Sequence, residues 1–146
     1  MTDKLIRTGS EMKKESLHMN QMPRSGPDTV KTDLLVPIAY EYRRRRDIDI
    51  EISQPEFTSV CPMTGLPDFG TVTVKYRPGD KIIELKSLKY YFLQYRNVGI
   101  FYEHAVNRIL DDLVAVLSPK RMEVIGNFTA RGGIATRVTA IYEGEN

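Results

Sequence analysis

The sequence predicts an α+β domain in which a four-stranded antiparallel sheet is covered on one face by two helices. Two strand-like segments come first, two segments with helical periodicity follow, and two more strand-like segments complete the chain. The order strand, strand, helix, helix, strand, strand pairs as two hairpins around a helix pair. Such a sheet has two open edges, and pairing of these edges with other subunits would close it into a barrel.

The first predicted hairpin precedes the helices. Residues 47–53 (DIDIEIS) alternate isoleucine with acidic or polar residues, as a half-buried antiparallel strand does. Residues 70–76 (GTVTVKY) are rich in β-branched side chains and are predicted to form its partner. Between them we predict a loop over residues 54–69, because prolines and a glycine interrupt any regular element there.

Two helices are predicted next. Residues 85–95 carry apolar side chains at three- and four-residue steps, and Asn97 and Gly99 end this helix. A second apolar stripe predicts a helix over residues 100–117, with Pro119 just beyond its end. Both helices therefore have one face suited to packing on the sheet.

The second predicted hairpin closes the chain. Residues 121–129 and 134–142 alternate apolar with polar or larger side chains, and residues 131–133 (RGG) suit the turn between them. Before the first strand, residues 1–36 are polar and charged and are predicted to be a flexible N-terminal tail. We therefore expect one folded domain over residues 37–146.

Composition narrows the classes of function. The net charge of +2 argues against a strongly basic nucleic-acid binder, and no apolar run reaches the roughly 18 residues of a transmembrane helix. The N-terminus lacks the apolar core of a secretory signal, and a single cysteine suits a reducing cytoplasm. One cysteine and two histidines cannot supply a four-ligand zinc site from nitrogen and sulfur donors. If the chain is an enzyme, we therefore expect it to act without a protein-bound zinc, and we expect it in the cytoplasm.

Residues 43–46 (RRRR) allow two interpretations. Four like charges could hold RNA, as basic clusters do. They could also form a solvated approach to a strand, next to the acidic residues 47, 49 and 51. The low net charge favours the second interpretation, in which the chain does not bind nucleic acid directly.

Cys61 and Asp68 are the candidate catalytic pair. Cys61 is the only cysteine, and it lies in the loop broken by prolines and glycine rather than inside a helix or strand. A thiolate is the strongest side-chain nucleophile near neutral pH, although a lone cysteine can equally be a buried packing residue. Asp68 follows a proline and could donate a proton to a developing anion, or could serve as a capping or solvated turn residue.

Four further charged residues could bind a ligand. Lys86 and Lys89 stand three apart at the start of a predicted helix, where they could bind phosphates or face solvent. Glu103 near the start of the second helix could accept paired N–H donors from a guanine-like edge, or could favour the helix dipole. Arg131 in the second hairpin turn could bind a phosphate or lie on the surface.

Two motifs carry a family resemblance. The stretch FTSVCPMTGLPDF at residues 57–69 and the stretch ELKSLKYY at residues 84–91 are similar to the nucleophile loop and the cofactor motif of one family. They indicate that the chain resembles the short, single-module NADPH-dependent 7-cyano-7-deazaguanine reductases. The similarity extends over about residues 42–142 and leaves the N-terminal tail uncovered. These enzymes reduce a nitrile to a primary amine in queuosine biosynthesis.

The resemblance implies a tunnelling fold whose subunit sheets join into barrels, with active sites between subunits and a decamer of two pentamers. It implies that Cys61 attacks the nitrile to form a thioimide, that Asp68 donates the proton, and that NADPH is the reductant. The residues implied to bind ligands are Ile83, Glu84, Leu85, Tyr102 and Glu103 for the deazaguanine, and Lys86, Lys89 and Arg131 for NADPH. Tyr102 departs from the histidine that the family usually has there, so a charged role for this position is in doubt.

Two rival functions remain at this point. A related amidotransferase would also form a thioimide on Cys61 but would accept ammonia instead of hydride. That relative lacks the lysine motif, so ELKSLKYY argues against it. The other rival is a non-catalytic module that binds RNA through residues 43–46.

Overall fold

A computed structural model describes residues 25–144. It confirms the predicted α+β fold and the order of its main elements. The structure also contains two short strands, one before and one after the first hairpin. The elements are β1 (Pro37–Ala39), β2 (Ile50–Val60), β3 (Pro67–Arg77), β4 (Lys81–Ile83), α1 (Leu85–Leu93), α2 (Tyr102–Leu117), β5 (Arg121–Arg131) and β6 (Ile134–Glu143), with 3-10 helices at Pro27–Thr29 and Gln94–Asn97.

The main sheet has the strand order β2-β3-β5-β6, and every neighbouring pair is antiparallel. The short strands β1 and β4 pair separately. The turn between β5 and β6 has positive φ at both Gly132 and Gly133, which is the backbone that a tight hairpin turn requires. Strands β2 and β6 are the edges of the sheet within the described chain, so each presents unpaired backbone groups.

Both helices pack on one face of the sheet. Side chains from β2, β3 and β5 meet those of α1 and α2 in a single apolar core. Leucine, isoleucine and tyrosine side chains of the helices are completely buried there, which is where most of the free energy of folding arises. No helix within residues 25–144 is both long and apolar enough to cross a membrane. Residues of the core include Phe57, Val72, Val74, Leu88, Tyr91, Tyr95, Ile109, Leu113, Met122 and Val124.

The predicted loop over residues 54–69 is wrong in most of its length. Strand β2 continues to Val60 and β3 begins at Pro67, so the loop is confined to residues 61–66. The register of β2 shifts between Gln54 and Phe57, and the Gln54 side chain accepts the Glu56 amide at 3.1 Å. Proline is tolerated in β2 because this strand is at the edge of the sheet and bulges there. The nucleophile loop is therefore short and held by strands on both sides.

Residues 25–36 pack on the domain, although the sequence assigned them to the tail. Val30 and Leu35 are buried in the core. Arg108 of α2 donates to the carbonyl groups of Pro27 and Val30 at 3.1 and 3.0 Å and pairs with Asp112 at 2.9 Å. The packed region thus begins before Pro37, while residues 1–24 of the predicted tail lie outside the described range. The single-domain assignment stays a prediction.

Candidate active site

The loop that carries Cys61 is a tight turn at one end of the sheet. The Cys61 amide donates to the Leu66 carbonyl at 2.9 Å, and the Gly65 amide donates to the Cys61 carbonyl at 2.8 Å. Gly65 has a φ of 72°, a left-handed conformation that glycine adopts without strain. The Thr64 hydroxyl accepts the Leu66 amide at 3.2 Å. Cys61 therefore begins a single helix-like turn, the position at which side chains cap backbone amides.

The thiol of Cys61 is partly exposed, and its surroundings act on its pKa in opposite directions. Burial acts to raise the pKa of this thiol, and the nearby charge of Asp68 acts in the same direction. Hydrogen bonds from the Thr64 side chain and from the Thr64 and Met63 amides outweigh both and hold the pKa below its ordinary value. The turn thus favours the thiolate without a histidine.

Asp68 lies directly across the hairpin from this loop. It is the second residue of β3, is paired with Ser59 of β2, and is buried with only 5% of its surface exposed. Its Oδ1 atom accepts the Tyr102 hydroxyl at 3.0 Å and lies 2.8 Å from Nη2 of Arg131. The structure therefore joins three residues that the sequence had identified separately.

Tyr102 is positioned by an aromatic stack. It is the first residue of α2, and its ring lies on that of Phe128 with centroids 3.8 Å apart and an angle of 11° between planes. A Cβ atom at Gly70 or Gly126 would meet the Phe128 ring at 2.9 or 2.6 Å, so both strands need glycine beneath it. Burial, followed by contact with Asp68, raises the pKa of Tyr102. Tyr102 therefore acts as a hydroxyl donor near neutral pH.

Arg131 lies at the end of β5, beside the start of β3. Its Nη2 group donates to the Pro67 carbonyl and also pairs with Asp68. The side chain keeps 42% of its surface exposed. In this chain the guanidinium is held against Asp68, while its exposed part remains open to an anion.

Glu103 is exposed in the first turn of α2, next to Tyr102. No hydrogen bond or ion pair among the described residues uses its carboxylate, and its backbone carbonyl accepts the Asn107 side chain at 2.8 Å. A carboxylate placed in this way is open to a ligand. It fits the predicted role of holding a guanine-like edge, which stays a prediction.

The other predicted ligand residues lie at the opposite end of the sheet. Ile83 is buried, and its amide donates to the Tyr76 hydroxyl at 3.1 Å. The eight residue-to-residue steps of β3 from Asp68 to Tyr76 span about 26 Å at 3.3 Å per step. Leu85 is 61% exposed at this far end. One chain therefore cannot bring this segment to Cys61.

Glu84 caps helix α1. Its carboxylate accepts the amides of Lys86 and Ser87 at 2.8 and 2.6 Å. These two amide donors hold the pKa of Glu84 below its usual range. The first amides of α1 are thus already hydrogen-bonded to the Glu84 side chain. The expected binding of an anion near this end of the helix therefore depends on Lys86 and Lys89.

Lys86 and Lys89 are both exposed on the first turns of α1. Neither forms an ion pair within the described part of the chain. Their spacing of three puts their ammonium groups on the same side of the helix. They are therefore open to an anionic ligand.

Sequence reasoning missed two residues of this site. Thr64 follows Cys61 by three residues, the spacing at which a capping residue meets its partner, and this signal could have been found. Ser59 becomes notable only because the fold buries it opposite Asp68. Within residues 25–144, no three His, Cys, Asp or Glu side chains are grouped so as to hold a metal ion.

The chain was compared with known proteins. Residues 67–146 match the family model described as QueF-like protein. A protein of Chloroherpeton thalassium named NADPH-dependent 7-cyano-7-deazaguanine reductase is 58% identical over 116 residues, covering 80% of this chain and 99% of that protein. Proteins of the same name from Thermoanaerobacter pseudethanolicus and Chlorobium luteolum are 56% and 68% identical, covering 82% and 66% of this chain and 90% and 84% of theirs.

Among solved structures, an archaeosine synthase QueF-Like in the apo form superposes with a TM-score of 0.59. It is 22% identical and covers 68% of this chain and 96% of its own length, so this likeness concerns the fold alone. The sequence relatives support a family assignment as well as a fold, because their identity to this chain exceeds 50% over nearly their whole length. The chain belongs to the QueF-like family of the 7-cyano-7-deazaguanine reductases.

Proposed function

We propose that this protein reduces the nitrile of 7-cyano-7-deazaguanine to the amine of 7-aminomethyl-7-deazaguanine, in the queuosine pathway of transfer-RNA modification. One observation carries the proposal. A thiol with a lowered pKa, Cys61, lies across a two-strand hairpin from a buried carboxyl group, Asp68. A nucleophile and a proton carrier are the two groups that addition to a nitrile requires.

The first step is addition of the Cys61 sulfur to the nitrile carbon. One carbon–nitrogen π bond breaks, a carbon–sulfur bond forms, and the nitrogen takes up a proton. Asp68 can accept the proton that leaves the thiol and deliver it to this nitrogen, so that thiol plus nitrile gives a neutral thioimide. The thioimide carbon is a better hydride acceptor than the nitrile.

Tyr102 and Arg131 keep the Asp68 carboxyl group in place for this transfer. Both meet the same oxygen, Oδ1, and the stack of Tyr102 on Phe128 fixes the direction of the hydroxyl. Glu103, exposed beside Tyr102, is suited to the guanine-like edge of the substrate. Ile83, Glu84 and Leu85 would line the other side of the base.

NADPH is the reductant named for the relatives, and two molecules of it, each supplying one hydride when bound, would account for the four-electron reduction. The residues present fit such a group. Lys86 and Lys89 are exposed cations free of described ion pairs, and Arg131 keeps exposed surface. These three cations would hold the cofactor phosphates.

We propose further that the active site forms between subunits. About 26 Å of β3 separates Asp68 from Tyr76, whose hydroxyl accepts the Ile83 amide. The unpaired edges of β2 and β6 offer the means of joining subunit sheets into a barrel. A decamer of two pentamers is the assembly that we expect.

Location and partners follow from the same chemistry. A thiol nucleophile that must stay reduced is suited to the cytoplasm. We expect no direct binding of nucleic acid by residues 43–46. In support, Arg43 lies 3.6 Å from Asp80, and the guanidinium groups of Arg45 and Arg46 lie over the Tyr42 ring.

The test is to mix the protein with 7-cyano-7-deazaguanine, first alone and then with NADPH. We expect a new near-ultraviolet absorbance band from the thioimide, absent in Cys61→Ala, and then oxidation of two NADPH per nitrile. Because Cys61 is the only cysteine, any thioimide reports on this residue alone. Loss of turnover in Cys61→Ala should exceed about 1,000-fold.

Two other outcomes would reject the proposal in different ways. A thioimide that never oxidises NADPH but reacts with ammonia would indicate the amidotransferase class. Absence of any thioimide from the wild-type protein would exclude Cys61 as the nucleophile.

A further inference from the structure

Ser59 is a buried hydroxyl that folding does not use. Only 1% of the residue surface is exposed, and its Oγ atom has no hydrogen-bond partner among the described residues. It is the only side chain in that part of the chain with such an unsatisfied buried polar atom. A hydroxyl left in this state destabilises the folded protein, and an alanine would avoid that cost. The position therefore favours a role outside folding.

Ser59 is the direct cross-strand partner of Asp68. Both side chains are buried and lie on the face of the sheet that the helices cover. Directly opposed residues of an antiparallel pair have Cβ atoms about 5 Å apart. At this separation the Ser59 hydroxyl and the Asp68 carboxyl group are within reach of each other through changes of side-chain rotamer.

The Asp68 carboxyl group has room for this donor. Tyr102 and Arg131 both meet Oδ1, and no described contact uses Oδ2. Arg131 also keeps 42% of its side-chain surface exposed, so it can turn toward a bound anion. Ser59, directly opposite Asp68, is placed to donate to Oδ2 whether Arg131 stays at Oδ1 or turns away.

We infer that Ser59 is a positioning residue, whose hydroxyl donates to Asp68 Oδ2 while Asp68 carries the proton between Cys61 and the nitrile. This inference rests on the proposed function. To the proposed function it adds a hydrogen-bond donor, the Ser59 hydroxyl, which has no described partner in the resting enzyme and donates to Asp68 in the substrate complex. No atom is exchanged by Ser59, because it only fixes the direction of the carboxyl group.

The test is the rate of thioimide formation at saturating nitrile without NADPH, measured in Ser59→Ala. We expect the rate constant to fall about 10-fold with an unchanged nitrile affinity, because the substrate itself is not contacted. We also expect the apparent Tm to rise by about 4 °C, because the unsatisfied hydroxyl is gone. A residue needed for packing would lower the Tm and the rate together.

A double-mutant cycle separates positioning from other effects. In Asp68→Asn, addition of Ser59→Ala should cause no further loss of rate, because Ser59 acts through Asp68. Thr71→Val removes a hydroxyl from the neighbouring strand and should leave the rate and affinity unchanged. Equal losses in both backgrounds, or an unchanged rate in Ser59→Ala alone, would overturn the inference. Absence of a thioimide from the wild-type protein would overturn the proposed function, and the inference with it.

Discussion

The two ends of the sheet differ in how complete they are. At one end, Asp68, Tyr102 and Arg131 come from three separate elements and are linked by a hydrogen bond and an ion pair, and the charge of Asp68 acts on Cys61. At the other end, Glu84 is occupied in capping its own helix, while Lys86 and Lys89 extend into solvent. The first end is assembled within one chain, whereas the second is an exposed surface, open to a ligand or to a neighbouring subunit.

This difference suits a division of roles within the subunit, in which one end carries the chemistry and the other end binds the cofactor. Under the proposed function, proton transfer and nucleophilic attack need groups within about 3 Å of each other and of the substrate, and the end that carries Cys61 and Asp68 would supply them from one chain. Binding of a long dinucleotide needs charges spread over a wider surface, which a second subunit can supply. The following predictions test this division, from the largest expected effect to the smallest.

The largest effect is expected from mixed oligomers. Cys61→Ala alone and the charge-reversed Lys86→Glu, Lys89→Glu variant alone should each be inactive in NADPH oxidation. When both chains are expressed together and co-purified through different tags, about a quarter of the sites should combine two intact halves. Recovered activity near that fraction of wild type would mean that the halves come from different subunits.

A matched pair controls for this recovery. Cys61→Ala expressed with Asp68→Asn should recover nothing, because both lesions lie at the same end of the chain. Oligomers that are shown to contain both Cys61→Ala chains and Lys86→Glu, Lys89→Glu chains, and that are nevertheless inactive, would refute an active site shared between subunits. All the groups would then have to act within one chain.

A smaller effect is expected from Tyr102→Phe. The phenyl ring keeps the stack on Phe128, while the hydroxyl that donates to Asp68 is lost. We expect kcat/KM for the nitrile to fall about 10-fold, with thioimide formation slowed to the same degree. Tyr142→Phe, whose hydroxyl has no described hydrogen bond, serves as the control. Equal, small effects of both variants would show that the hydroxyl of Tyr102 does not support the chemistry.

The smallest effect is expected from Thr64→Val. The Thr64 hydroxyl helps to hold the pKa of the Cys61 thiol below its ordinary value, so its removal should raise that pKa. The thiolate fraction at neutral pH then falls, and the rising limb of the pH profile moves to higher pH. We expect alkylation of Cys61 by iodoacetamide at neutral pH to slow by about 3-fold to 10-fold.

The pH profile of alkylation reports on Cys61 alone, because the chain has a single cysteine. Thr73→Val, on the face of β3 away from the core, should leave the profile in place. A profile that stays unchanged in Thr64→Val would mean that the Met63 and Thr64 amides alone set the reactivity of the thiol.

The sequence by itself determined the fold class and the chemical groups. Periodicity is a local property, so alternation in β5 and β6 and the apolar stripe of α2 were sufficient to predict those elements. The residues around Cys61 and Asp68 indicated a candidate nucleophile and proton carrier, and their resemblance to the nucleophile loop of one family implied the reaction. The resemblance supplied the ligand residues in the same way.

Only the tertiary structure decided how these groups meet. The prolines of residues 54–69 predicted a loop, but an edge strand tolerates proline and a bulge, so β2 and β3 continue through most of it. The contact of Asp68 with Tyr102 and Arg131 joins residues 34 and 63 positions apart (102 − 68 and 131 − 68). The burial of Ser59 opposite Asp68 arises from strand pairing, and the separation of Asp68 from Tyr76 arises from strand length. Such distances depend on the whole sheet, which no local pattern of residues encodes.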